Sequence, residues 1–229
     1  MPTNCHIQTA TPQLSQSQEF FTQIGFKPVG DNPMLWSDGK ALIEINPDRF
    51  ARPGIKLQKE DWSHEVATLR KITKVTPTAQ GQLLSEPSGT WRYLVENETK
   101  PDFTFAEQPF GYLGNFVGLS LETTDMQRSA DILETLGFKE TMGSRDQGFV
   151  GLALGDFGLS LMKPLSCPHL FFSPSLTYFN GINNKAIIDN LRSRQVPFAE
   201  EITIFNKEGI VDNVVIRDPG GLGFFIFSD

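Results

Sequence analysis

The chain has 229 residues, of which 39% are hydrophobic and 21% charged, with a formal net charge of -7 and a mean hydropathy of -0.23. No run of about 18 apolar residues occurs, which excludes a membrane-spanning helix. No cluster of Lys and Arg occurs either, which argues against a nucleic-acid partner. The opening residues, Met1-Pro2-Thr3-Asn4-Cys5-His6, lack a basic stretch followed by an apolar one, so no signal peptide is read and a cytoplasmic location is expected. Cys5 and Cys167 lie in different segments without metal spacing and read as free thiols of a reducing compartment.

In chain order, Cys5 to Ala10 reads as a strand closed by Thr11-Pro12. A helix is predicted from about Leu14, with Leu14, Phe21 and Ile24 on one face and Gly25 ending it. Strands follow at Phe26 to Val29, Met34 to Ser37 and Ala41 to Ile45, giving a β-α-β-β-β unit. After Pro47 and Pro53 the pattern restarts. Ile55 to Lys59 is a strand, and Asp61 caps a helix striped by Trp62, Val66 and Leu69. Strands are then expected around Lys74 to Thr76, Gly81 to Leu84 and Trp91 to Val95, the last preceded by the tight turn Glu86-Pro87-Ser88-Gly89.

Residues 98–114 read as a linker whose Phe residues pack on a domain. A third unit runs from Phe116 to about Lys163, its helix carrying Met126, Ala130, Leu133 and Leu136. The fourth has a strand at Ser175 to Phe179 and a helix through Ala186, Ile187 and Leu191. It closes with Val214 to Arg217, the turn Asp218-Pro219-Gly220-Gly221, and Phe224 to Phe227. That turn leads into a strand rather than a helix, so it is not a phosphate loop.

The two halves repeat one another. Ser17 to Lys27, with Ile24-Gly25-Phe26-Lys27, is answered by Ser129 to Lys139, with Leu136-Gly137-Phe138-Lys139. Glu86-Pro87-Ser88-Gly89 is answered by Asp218-Pro219-Gly220-Gly221 in the same order. The expected division is therefore an N-terminal domain over residues 1–97, a linker over 98–114 and a C-terminal domain over 115–229.

Strand, helix ending in Leu/Ile-Gly-Phe, three strands, and a closing Asp-Pro-x-Gly together resemble the vicinal-oxygen-chelate superfamily of glyoxalases, bleomycin-resistance proteins and extradiol dioxygenases. The resemblance implies an α+β fold: four βαβββ units forming two half-open β-barrel domains of the glyoxalase/bleomycin-resistance type. Metal-dependent relatives place a ligand on the first and the last strand of each unit. His6 and Glu44 match two of those positions. The second unit offers a residue near Gly54 to Lys56 and then Tyr93. The third offers Gly118 and then Leu161 or Met162. The fourth offers a residue near Ser173 to Ser175 and then Phe225.

What this implies is a small-molecule-binding protein with a degenerate metal site, taking an apolar or aromatic ligand in a barrel cleft. No tightly held cofactor is expected, and at most a divalent ion held weakly by His6 and Glu44 with water or substrate completing its shell. The alternative is a metal-dependent, glyoxalase-like lyase or isomerase that uses His6 and Glu44. Dioxygenase chemistry is disfavoured, because the C-terminal half lacks the two histidines and glutamate it needs. Without metal, a cavity-facing Glu44 would have its pKa raised by burial and suit a general base paired with His6. Trp36, Trp91, Tyr93, Tyr178 and Phe225 are the candidate ligand-pocket residues. His64 is expected to face water on its helix, and His169 to lie in a connection. The expected assembly is a monomer or homodimer.

Overall fold

In the computed structural model, residues 4–96, 103–166 and 174–228 are described. The first half contains β1 (Asn4–Ala10), α1 (Leu14–Gln23), β2 (Lys27–Val29), β3 (Asn32–Ser37) and β4 (Leu42–Asn46), then β5 (Gly54–Lys59), α2 (Ser63–Leu69), β6 (Val75–Thr78), β7 (Gly81–Ser85) and β8 (Trp91–Glu96). The second contains β9 (Phe116–Glu122), α3 (Met126–Thr135), β10 (Lys139–Ser144), β11 (Phe149–Leu154) and β12 (Phe157–Met162), then β13 (Ser175–Phe179), α4 (Asn184–Ser193), β14 (Phe198–Ile202), β15 (Asn213–Arg217) and β16 (Gly223–Phe227). Each half is one eight-stranded mixed sheet, in the orders β2-β3-β4-β1-β5-β8-β7-β6 and β10-β11-β12-β9-β13-β16-β15-β14. In every unit the first strand runs parallel to the last. The units pair in chain order, through the antiparallel contacts β1–β5 and β9–β13.

The Leu/Ile-Gly-Phe motif has a physical cause. Gly25 and Gly137 adopt φ of 85° and 100°, the left-handed conformation that glycine enters without a steric penalty. The Phe26 N–H then reaches back to the Phe21 carbonyl at 2.9 Å and that of Phe138 to the Leu133 carbonyl at 3.0 Å, the six-to-one bond of a Schellman ending. The same fold-back turns each Phe onto the helix face it has just left; the Phe21 and Phe26 ring centroids are 5.3 Å apart. A side chain at Gly25 would also strike the Tyr112 ring, which arrives from the connector between the halves.

Alternation along the strands sorts side chains between two faces. Cys5 and Ile7, Ile43 and Ile45, Ile55 and Leu57, and their counterparts in the second sheet point to the helix-covered side and merge into one core. That core crosses between the halves. Phe20, Phe21 and Phe26 surround Phe224 of the second sheet at centroid distances of 5.8, 6.2 and 6.5 Å. Among the described residues two buried side-chain hydrogen bonds cross as well: Thr9 Oγ1 donates to Asp218 Oδ2 at 2.5 Å, and the Tyr178 hydroxyl to Asp38 Oδ2 at 2.9 Å. The described part of the connector is pinned to the first half, with the N–H groups of Phe110 and Tyr112 bonded to the carbonyls of Asp38 and Ile24 and Leu113 fully buried.

Strand β14, part of the expected fourth βαβββ unit, carries a weak local signal. A bulge between Phe198 and Glu200 breaks its alternation, and Glu200 and Glu201 dilute its apolar signal. Arg92, on the core side of β8, is fully buried and paired with the buried Glu86 at 2.5 Å. Removing one partner of such a pair strands a charge. Glu86→Ala is therefore expected to lower stability by about 3–5 kcal/mol. The double change Glu86→Leu/Arg92→Met should recover most of that loss, as read by equilibrium denaturation of both variants.

Candidate functional site

The faces of the two sheets opposite the helices are the candidate sites, and the central strand pairs decide what each presents. In the first half, His6 lies opposite Lys56 across β1–β5, and Lys56 opposite Tyr93 across β5–β8. His6 Nε2 is 3.0 Å from Glu44 Oε2, and Lys56 Nζ donates to Glu44 Oε1 at 2.5 Å. Beside this triad, Asn46 Nδ2 donates to Gln8 Oε1 at 3.0 Å, and Gln8 Nε2 to the Arg52 carbonyl at 2.8 Å. The Tyr93 hydroxyl donates to that same carbonyl and accepts from the Arg52 N–H, both at 3.1 Å. Trp91 lies alongside, its ring 6.1 Å from that of Tyr93.

Burial works to raise the Glu44 pKa, but the hydrogen bond from His6 and the charges of Lys56 and His6 outweigh it and hold it at about 2. This reverses the direction expected from burial, because the sequence alone did not bring Lys56 to the carboxylate. A base so weak, with both oxygens engaged, is ill-suited to abstract protons near neutrality.

By strand register, the positions that the resemblance assigns to metal ligands fall on His6, Glu44, Lys56 and Tyr93. Only two are good donors, and the Lys56 ammonium sits on the carboxylate that a metal would need. Among the described residues no group of three or more His, Cys, Asp or Glu could hold an ion. The donor set does not fit a resident divalent metal.

In the second half, Thr177 lies opposite both Gly118 and Phe225, and Ser120 opposite Ser160. By the register that aligns His6, Glu44, Lys56 and Tyr93, the equivalent positions are Gly118, Ser160, Thr177 and Phe225. Leu161, one of the sequence candidates, faces the core and is fully buried, while Met162 sits further along the strand. Ser175 lies opposite Ser120. Ser173, Cys167 and His169 fall outside the described residues. His64 is exposed on α2.

Stripped of ionic side chains at those positions, the second face opens into a cleft of about 590 Å³. Gly118 and Gly158 form its floor on paired strands, so close together that a Cβ on either would collide with backbone atoms of the other strand. Phe225 and Phe227 stack at 4.9 Å with only 3° between their planes, and Phe179 packs against Phe227 at 5.3 Å. Met142, Phe149, Met162 and Phe205 add to the apolar lining.

Of the predicted pocket residues, Phe225 lines this cleft, and Trp91 and Tyr93 lie on the polar face of the first half. Trp36 and Tyr178 are on neither. Trp36 pairs with Ile43 and stacks on Phe21 in the core, and Tyr178 is fully buried against Phe116 and Asp38. One residue of register separates the two faces, so a correct strand does not by itself place its aromatic residue. The signal that would have found the cleft is Gly-Leu-Ser-Leu, present both at 118–121 and at 158–161 on adjacent parallel strands.

No family model matches the chain, and no curated protein matches it. Solved structures of the same architecture do. They include BphC, a halotolerant catechol dioxygenase, at a TM-score of 0.54 and 13% identity over 96% of this chain and 84% of that one. The 2,3-dioxygenase LapB from Pseudomonas sp. KL28 matches at 0.55 and 14% over 100% and 91%. Homoprotocatechuate 2,3-dioxygenase from Brevibacterium fuscum, as a variant, matches at 0.54 and 12% over 98% and 70%. The likeness shows the fold: α+β, two domains, of the tandem vicinal-oxygen-chelate type.

The sign of the Glu44 shift yields a prediction. A carboxylate with a depressed folded-state pKa adds stability that is complete above its unfolded value, about 4.3, and is lost as pH falls through the folded one. The stability difference between wild type and Glu44→Gln should therefore shrink between about pH 4.5 and pH 2. It is expected to start at a few kcal/mol near neutrality, and denaturation of both proteins across that range checks it.

Proposed function

We propose that this protein binds a small apolar or aromatic molecule in the cleft of its second half and does so without a resident metal. The observation that carries the reading is the cleft itself: a size usual for small-molecule sites, open, and walled by aromatic and methionine side chains. The exchange of every ionic group at its four central positions for Gly118, Ser160, Thr177 and Phe225 supports the same reading. The first half has the same strand layout, but the polar groups on its open face pair with one another.

One observation favours the second reading, a glyoxalase-like lyase or isomerase: His6 and Glu44 do meet, at 3.0 Å, on the open face of their sheet. Lys56 weighs against it, since its ammonium already satisfies the carboxylate.

Titration with the neutral fluorophore N-phenyl-1-naphthylamine is expected to show one saturable site per chain. Gly151→Leu should weaken that binding about tenfold or more; Gly151 has no positive φ, and the new side chain would push aside the exposed Met142, touch Thr141 Oγ1 and fill the cleft. Glu44→Gln should leave it unchanged. Mass-spectrometric metal analysis after incubation with nickel, zinc, manganese or iron should find no stoichiometric ion. A stoichiometric ion lost on Glu44→Gln would overturn the proposal in favour of the enzyme reading.

A further inference from the structure

Resting on the cleft as the binding site, we infer that its ligand is an uncharged planar aromatic molecule bearing one hydroxyl group, held by the Ser120–Ser160 pair. Among the described residues, none that lines the cleft is ionisable as an acid or base at neutral pH. A carboxylate or ammonium entering it would lose its water and gain no counter-charge, a cost that rises steeply with burial. A phosphate or carboxylate ligand would find no Arg, Lys or helix N-terminus among the lining residues.

The hydroxyl inventory then fixes how much polarity the ligand carries. Thr177 Oγ1 donates to the Gly118 carbonyl at 2.9 Å, and Thr141 Oγ1 to the Gly151 carbonyl at 3.1 Å, so both of their hydrogens are spent on the sheet. Ser120 Oγ and Ser160 Oγ lie 2.9 Å apart, and one hydrogen bridges them. The pair therefore holds a second O–H whose acceptor is not among the described residues, together with open lone pairs. A ligand hydroxyl fits that need, since it accepts from one serine and donates to the other. An ether or a bare ring meets half of it or none.

Shape supplies the rest. The glycine floor at 118 and 158 brings the ligand close to the backbone, and the Phe225 and Phe227 rings, stacked in parallel at 4.9 Å with 3° between their planes, give the wall an aromatic edge and face. Flat rings lie against flat rings in offset or edge contact, each pair contributing about 0.5–1.5 kcal/mol beyond the area it buries. A globular aliphatic molecule of equal volume gains less there.

The test uses three compounds of one ring system, naphthalene, 2-naphthol and 2-naphthoate, each displacing N-phenyl-1-naphthylamine from the full chain at neutral pH. 2-Naphthol is expected to bind about fivefold more tightly than naphthalene, a net gain of about 1 kcal/mol for its hydroxyl once the water it gives up is counted. 2-Naphthoate is expected to bind at least about tenfold more weakly than 2-naphthol. In Ser120→Ala/Ser160→Ala the gap between naphthol and naphthalene should close, while naphthalene and the probe bind as before, which also shows the variant folded. Equal binding of naphthoate, or a naphthol preference that survives the double alanine change, would overturn the inference and leave the cleft as a binding site. If neither the probe nor any of the three binds, the cleft reading falls with it.

Discussion

The antiparallel pairing of the two central strands in each sheet is the constraint on which the rest depends. Across β1–β5 it sets His6 opposite Lys56; across β9–β13 it sets Gly118 opposite Thr177. Because side chains alternate with a period of two, a slip of one residue would exchange the whole core face for the open face. The core resists that slip. Ile7, Ile55 and Leu57 in one sheet and Leu119, Leu121 and Leu176 in the other are all essentially inaccessible, and exposing even two or three of them would cost about 1.5–3 kcal/mol apiece. The open-face residues thus hold their places by the burial of their neighbours.

On this shared frame the two halves differ in opposite ways. The first fills its open face with groups that satisfy one another, an imidazole and an ammonium on one carboxylate, then an amide chain ending at Tyr93. A cation supplied by the chain stands where a bound ion would need room, and the negative charge of Glu44 is balanced from within. The second half deletes side chains instead. Two glycines let strands β9 and β12 approach closely, and small hydroxyl residues close on each other or on the backbone. What remains is volume walled by aromatic rings. Apolar atoms there gain from covering by a ligand, whereas the polar face of the first half has little to gain.

Much of the fold was legible because its signals are local. Leu/Ile-Gly-Phe marks a helix ending that only a left-handed glycine completes, and Asp-Pro-x-Gly marks a turn in which Asp218 Oδ1 accepts from the Leu222 N–H at 2.7 Å. Both can be read from a few adjacent residues. The sites were less legible because they depend on register between strands far apart in sequence. His6 and Glu44 were readable as neighbours through the resemblance, but Lys56 came in through the β1–β5 pairing, and it changed the chemistry from a raised carboxylate to a depressed one. Phe225 and Tyr178 sit on adjacent parallel strands and face opposite ways, a parity that composition does not carry. Glycine and serine, which build the cleft floor, more often read as turn residues than as a site.

The likeness to catechol and homoprotocatechuate dioxygenases bears on backbone, and the chemistry is decided by four side chains per half. In the first half two of the four are donors and a third is a competing cation. In the second, one is hydrogen, two are hydroxyls and one is a phenyl ring. A Lewis acid needs anionic or imidazole ligands to hold it against water, and hydroxyls bonded to each other or to a carbonyl do not offer that. An apolar ring needs the reverse: a dry surface, aromatic walls and few polar atoms. The residues that offer an ion no ligands in the second half are the same ones that leave its cleft apolar, so one set of residues accounts for both features.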